Sequence, residues 1–258
     1  MTSEPTERLE CRHVSFARAG AEGLLLVLDD LSFTVDHGEF VALIGPSGCG
    51  KSTLLSILAG LEEPDDGEVL VSGSPDRLGT LTLMPQSDAL LPWKTVLENV
   101  ARGPRITRAD AGAATERARA TLAEFGLGGF ERHYPHALSG GMRQRVALAR
   151  AVLGGARHWL LDEPFGALDA FTRAHLHRLV ADAWERHRPS VVLVTHDLDE
   201  ALSLADRVLV SSSRPARIVA ELAVDLPRPR PPELTTSPEF TAYKRELMGH
   251  LFASGAFA

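Results

Sequence analysis

The sequence predicts an α/β domain built on a mainly parallel sheet and interrupted by an all-helical insert. Three observations carry that reading. Short apolar runs of strand length alternate with stretches of helical spacing. Two of those runs, Phe40–Ile44 and Val191–Thr195, are almost continuously apolar, the pattern of strands covered on both faces. Strand signals then vanish between Ser87 and about Ala156 and return at His158.

Taken in order, Leu31–Val35 alternates apolar and polar residues and reads as a half-buried strand. Phe40–Ile44 reads as a buried strand ending in a glycine-rich turn. Lys51–Ala59 has helical spacing, with Leu54, Leu55 and Leu58 on one side. The acidic turn Pro64-Asp65-Asp66-Gly67 leads into a short strand, Glu68–Val71, and Leu81–Met84 is another. Ala, Arg and Glu dominate Ala109–Phe125, which predicts a helix in the insert. The strands His158–Leu161, Val191–Thr195 and Val208–Val210 follow, with helices Ala170–Arg186 and Asp199–Ala205 between them. Pro227–Pro232 reads as a linker and Pro238–Leu251 as a last amphipathic helix; no internal repeat is found.

Composition narrows the function classes. The 258 residues carry 27 Lys+Arg against 34 Asp+Glu, a net charge of −7, so a nucleic-acid partner is not expected. Hydrophobic residues at 44% and charged residues at 24% are ordinary for a globular chain able to bury its own core. Two cysteines, Cys11 and Cys49, argue against a disulfide framework and for a reducing compartment. The longest apolar candidates, Gly23–Leu28 and Val191–Thr195, fall far short of the ~18–20 residues that span a bilayer. Met1–Glu10 is polar and acidic, unlike a secretory signal.

The strongest chemical signal is Gly45-Pro46-Ser47-Gly48-Cys49-Gly50-Lys51-Ser52, between a strand and a helix, where a phosphate-binding loop belongs. Its glycines permit backbone conformations closed to other residues, so successive N–H groups can line an anion nest at a helix N-terminus. Lys51 would reach the β- and γ-phosphates, Ser52 would ligate Mg²⁺, and Thr53 could add a hydrogen bond to the α-phosphate. Cys49 reads as a small filler, although a thiol reagent there would block nucleotide binding. A second signal is the apolar strand His158-Trp159-Leu160-Leu161 ending in Asp162-Glu163. Asp162 can hold Mg²⁺ through water at the strand end, and Glu163 is placed to polarise an attacking water. A third is Leu138-Ser139-Gly140-Gly141-Met142-Arg143-Gln144-Arg145, where Ser139 is a good N-cap and two glycines follow. By itself this is either a capped surface helix or an anion site at a helix N-terminus.

Together these residues resemble the ATP-binding subunit of ATP-binding-cassette (ABC) transporters, from about Leu9 to Leu251. Gly45–Thr53 stands as the Walker A motif, Gln86 as the Q-loop glutamine and Leu138–Arg145 as the signature. Leu160–Glu163 stands as Walker B, Ala167-Leu168-Asp169 as the D-loop and His196 as the switch histidine. The resemblance implies a P-loop NTPase (RecA-like) core with a mainly parallel sheet, an antiparallel N-terminal β part and an inserted helical subdomain. Residues 1–86 and 157–230 would form the core, 87–156 the helical signature subdomain, and 231–258 a C-terminal linker and helix. It also implies a head-to-tail homodimer that binds and hydrolyses ATP with Mg²⁺. Lys51, Ser52, Gln86, Asp162, Glu163 and His196 would come from one chain, and Ser139, Gly140 and Gly141 from its partner, to hold the γ-phosphate. Gln86 would contact Mg²⁺ and the attacking water, and His196 the γ-phosphate.

Two positions depart from the family pattern. Met142 stands where the family usually has Gln, with a modest effect expected. In Val14–Gly20, expected to be a loop after the first strand, Arg18 occupies the place of the aromatic residue that stacks on adenine; Arg18 or Phe16 could serve instead. The stretch Ala89–Val100, with Leu91-Pro92-Trp93, resembles the nitrate/sulfonate/taurine group of importers, which includes pyrimidine-precursor importers. So do the tail Arg214–Arg230 and the segment around Glu239–Leu247. Under that resemblance the chain sits on the cytoplasmic face of the membrane. Leu91–Trp93 meets a coupling helix of an integral permease, and an extracytoplasmic binding protein supplies the solute indirectly. An exporter's ATPase and a soluble, non-transport ABC ATPase are the alternatives; for Trp93, ordinary core packing is the other reading.

Overall fold

The computed structural model describes residues 7–20, 23–77, 79–103, 111–166 and 168–254. The expected helix start at Ala109–Asp110 and the expected D-loop residue Ala167 lie outside the described residues.

Two sheets organise the chain. The strands are β1 (Leu9–Gly20), β2 (Gly23–Val35), β3 (Phe40–Ile44), β4 (Asp66–Val71), β5 (Leu81–Met84), β6 (His158–Asp162), β7 (Ser190–Val194), β8 (Arg207–Ser211) and β9 (Ile218–Ala223). The first sheet is antiparallel, in the order β2-β1-β4. The second has the order β5-β6-β7-β3-β8-β9, parallel throughout except for β9. Phe40, Ala42 and Ile44 of β3 face one apolar cluster, and Val41 and Leu43 face the other. That two-sided burial is why β3 reads as an unbroken apolar run.

The helices are α1 (Lys51–Leu58), α2 (Val96–Val100), α3 (Ala111–Glu124), α4 (Gly140–Leu153), α5 (Ala170–His187), α6 (Leu198–Leu204) and α7 (Pro238–Ala253). Helix α1 lies in the cluster between the two sheets, through Leu54, Leu55 and Leu58. Helices α2, α3 and α4 pack on one another, and Val100, Ala118, Leu122 and Val146 join the cluster that contains Phe40. Thr95 and Glu98 form a reciprocal capping box at the start of α2, which fixes the loop carrying Trp93.

Three sequence expectations change. Leu31–Val35 is the second half of a longer strand, and Val14–Gly20 is the far half of β1 rather than a loop. Register shifts between Cys11 and Ala17, and a positive φ of 51° at His13, break the two-residue alternation that would have revealed this strand. Strand β9 alternates half-buried and exposed residues at the sheet edge, so its apolar signal is weak. Pro227–Pro232 is not a loose linker. Arg228 lies 4.2 Å from the centre of the Trp184 ring, and Arg230 donates to the carbonyls of Leu202, Ala205, Val224 and Leu226. Among the described residues no helix is long and apolar enough to cross a membrane.

Candidate functional site

The loop between β3 and α1 turns back on itself through Gly48 (φ 72°) and Gly50 (φ 127°). A Cβ at Gly50 would also come within 2.9 Å of Val27 and Leu28, so glycine is required there by both conformation and space. Lys51 opens α1 and is buried; its ammonium donates to the carbonyls of Gly45 at 2.8 Å and Pro46 at 2.7 Å. The Cys49 thiol is buried with Ser211 Oγ 3.7 Å away, so it fills space beneath the loop and presents no exposed target for a thiol reagent.

Strand β6 delivers two carboxylates to the same place. Asp162 is buried, and its Oδ1 has no hydrogen-bond partner. Burial pushes its carboxyl above the usual aspartate range, opposed by a hydrogen bond from the Ser52 hydroxyl. Glu163 takes a left-handed conformation, φ 47°, at a cost of roughly 1–2 kcal/mol for a residue with a Cβ. The cost is met by pinning both backbone polar atoms. Its N–H donates to Val194 O at 2.8 Å, and its carbonyl accepts from Gln144 Nε2 at 2.9 Å. This turn points the carboxylate at two partners: Gln86 Nε2 donates to Oε2 at 3.2 Å, and His196 Nδ1 lies 3.3 Å from Oε1.

Lys51, Ser52, Thr53, Gln86, Glu163 and His196 line one open pocket of about 580 Å³, together with Ser47, Gly48 and Gly50 of the loop. Such a pocket can take a nucleoside triphosphate, with the phosphates on the loop and a carboxylate, an amide and an imidazole around the terminal phosphate. The residues also fit Mg²⁺. The orphaned buried oxygen of Asp162, the Ser52 hydroxyl and the Gln86 amide oxygen are hard donors. A cation that prefers phosphate and water oxygens needs few protein ligands. When bound there, Mg²⁺ would neutralise phosphate charge. Among the described residues no cluster of three or more His, Cys, Asp and Glu offers a rival site.

Of the two candidates for the base, only Arg18 reaches the pocket, beside Ala19, Leu25 and Val27. Phe16 packs against the core between the sheets, with the Arg18 guanidinium 5.8 Å from its ring centre and paired with Glu62. Three residues escaped the sequence reading. Arg214 lines the pocket and donates to the Gly48 carbonyl. Arg143 joins Asp88, at 2.8 Å, to the signature helix. Gln144 holds the Glu163 carbonyl; the available signal was a polar residue on the buried α4 face that carries Leu148 and Ala151.

Ser139, Gly140 and Gly141 do not line this pocket. Ser139 caps α4, accepting from Met142 N at 3.3 Å. A Cβ at Gly140 would meet nothing nearer than 3.9 Å among the described residues, and its φ is not positive, so nothing among them requires glycine there. Asp169, the carboxylate of the expected D-loop, caps α5 through Thr172 N at 3.0 Å, which holds it below the usual aspartate range. Trp93 is 69% exposed, which removes the core-packing reading.

The chain is similar to known proteins. The family model described as ABC transporter matches residues 28–166. A taurine import ATP-binding protein of Burkholderia pseudomallei is 45% identical, covering 86% of this chain and 86% of its own. An aliphatic sulfonates import ATP-binding protein of Mycobacterium avium is 48% identical, covering 87% of this chain and 86% of its own. Among solved structures, the dimeric ATP-binding cassette MJ0796 in a post-hydrolysis state bound to ADP and Pi superposes with a TM-score of 0.76. It is 30% identical, over 84% of this chain and 99% of that one.

Proposed function

Because the chain belongs to the ABC transporter family, we propose that it is the ATP-hydrolysing subunit of an importer that energises uptake of a small sulfonate-type solute. The observation that carries this reading is the convergence of Gln86, Glu163 and His196 on the pocket lined by Lys51 and Ser52. A triphosphate on the Gly45–Thr53 loop would place its terminal phosphate among them. Glu163 would accept a proton from the attacking water, His196 would orient the phosphate, and Gln86 would hold the Glu163 carboxylate in line. Asp162, Ser52 and Gln86 are the residues that would hold Mg²⁺.

The site needs a second copy. Ser139, Gly140 and Gly141 offer a capped helix N-terminus, with Gly140 uncrowded at the surface, which suits an anion held by another chain. The dimeric state of the similar cassette supports a head-to-tail homodimer, each nucleotide lying between one protomer's loop and its partner's signature. Binding closes the dimer and hydrolysis lets it reopen, so differential affinity for the two states does the work. Exposed Trp93, with Leu91, suits a coupling helix of an integral permease, which places the chain on the cytoplasmic face of the membrane. Solute choice belongs to the permease and to an extracytoplasmic binding protein. Co-expression with a candidate permease and its binding protein tests the reading. The complex should co-purify and hydrolyse ATP faster with the binding protein loaded with a sulfonate. A chain that purifies alone and ignores the loaded binding protein is not an importer subunit.

A further inference from the structure

We infer that Gln144 is a positioning residue for hydrolysis: its side-chain amide ties the backbone of Glu163 to the helix whose N-terminus reads the partner's nucleotide. The inference rests on the homodimer proposed above.

Glu163 is held at two points on its backbone. Its N–H is fixed to the sheet through Val194 O at 2.8 Å, and its carbonyl to α4 through Gln144 Nε2 at 2.9 Å; Gly166 N also reaches that carbonyl, at 3.2 Å. The residue sits at φ 47°, outside the basins that a side chain prefers. In that conformation its carboxylate meets Gln86 at 3.2 Å and His196 at 3.3 Å. A lost carbonyl tether lets the backbone relax toward an ordinary basin, which swings the carboxylate off both partners.

The tether comes from an informative place. Gln144 is buried, five residues beyond Ser139, in the second turn of α4. The same helix is strapped to the Q-loop by Arg143, which donates to Asp88 at 2.8 Å, and by Arg150, which donates to Ala89 O at 2.7 Å. Any shift of α4 as Ser139–Gly141 engage a nucleotide therefore reaches Glu163 directly. Because those residues serve the partner's nucleotide, each protomer's base would be set by occupancy of the opposite site. The physical link is one hydrogen bond within each chain, and its consequence is positive cooperativity in ATP hydrolysis.

The test is Gln144→Met in the full chain, which keeps the length of the side chain and removes the donor. Gln144→Leu is the second variant should the first not fold. Turnover, KM and the Hill coefficient for ATP are measured, with ATP affinity taken in the Glu163→Gln background and melting followed in parallel. The expected result is a kcat lower by about 10–100-fold, KM and ATP affinity within about twofold of the parent, and a Hill coefficient falling from near 2 toward 1. Unchanged kcat and Hill coefficient overturn the inference. So does a kcat loss that only tracks lost affinity and lower melting temperature, the signature of a merely structural residue. A parent chain that hydrolyses no ATP at all overturns the proposed function itself, which keeps the two failures distinct.

Discussion

Gln86 and Glu163 are 77 residues apart in sequence, yet the amide of one donates to the carboxylate of the other at 3.2 Å. The parallel pairing of β5 with β6 brings them together. Met84 sits opposite Leu161, so the loop leaving β5 and the acidic turn leaving β6 emerge side by side. The His196 imidazole arrives from the end of the next strand, β7, at 3.3 Å from the other carboxylate oxygen. Three adjacent strand ends thus assemble one polar cluster over the phosphate loop, as parallel α/β sheets do at their carboxyl edge.

The signature glycines give the first prediction. Gly140→Asp should leave folding nearly intact, with melting within about 0.5 kcal/mol of the parent, because the position is open and capped by Ser139. ATP turnover should fall by about 100-fold or more, since the new carboxylate would face the phosphates held by the partner. Equal loss of melting temperature and activity would show that Gly140 serves its own chain.

At the proposed permease face, Trp93→Ala should abolish transport by the reconstituted complex while basal ATP hydrolysis of the isolated chain stays at the parental level. The exposed ring contributes little to folding, so melting should move by less than about 0.5 kcal/mol. Calorimetric melting beside a vesicle uptake assay reads both effects. A folding defect would put the ring in the core after all.

Base selectivity follows from Arg18. A guanidinium that stacks on a flat ring reads its face rather than its hydrogen-bonding edge, so ATP and GTP affinities should agree within about fivefold. Arg18→Ala should weaken both by a similar factor, again about fivefold for a contact worth roughly 1 kcal/mol. Titration calorimetry with both nucleotides decides it, and a strong ATP preference in the parent would remove Arg18 as the base platform.

His158 is a buried source of pH-dependent stability. Burial first, then the nearby His37 and Arg157, pushes His158 from 6.5 down to about 4. Its neutral form is the one the fold accepts, so its contribution is intact above about pH 6.5 and is lost as pH falls toward 4. Below that, both folded and unfolded states are protonated. The loss amounts to at most about 3 kcal/mol. Urea denaturation between pH 7 and 4 should show a steeper fall for the parent than for His158→Gln; parallel curves would contradict it.

How much of this was legible in sequence depended on burial. Strands β3, β6 and β7, covered on both faces, read as unbroken apolar runs, and the loop from Gly45 to Ser52 declared itself by glycines that its turns require. Strand β1 did not, because Arg12 and His13 sit among its bulges and blur the alternation. Arg18 and Phe16 could be ranked only in three dimensions, since both lie on one strand and one alone turns to the pocket. Gln144 and Arg214 act through carbonyls far away in sequence, and such partners leave no local pattern. The glycines at 140 and 141 were visible as an oddity, and the open surroundings of Gly140 fit the proposal that its contact comes from another chain.

Glu163 is proposed as the base of a site shared between two copies of the chain. The direct measurement is Glu163→Gln, followed for ATP turnover and, by light scattering with and without Mg-ATP, for mass. Turnover should fall by about 10²–10⁴-fold, the range of a lost general base, and the variant should pass from monomer to a stable ATP-bound dimer. A variant that hydrolyses ATP like the parent and stays monomeric with Mg-ATP would show that Glu163 is not the base and that the site is not shared.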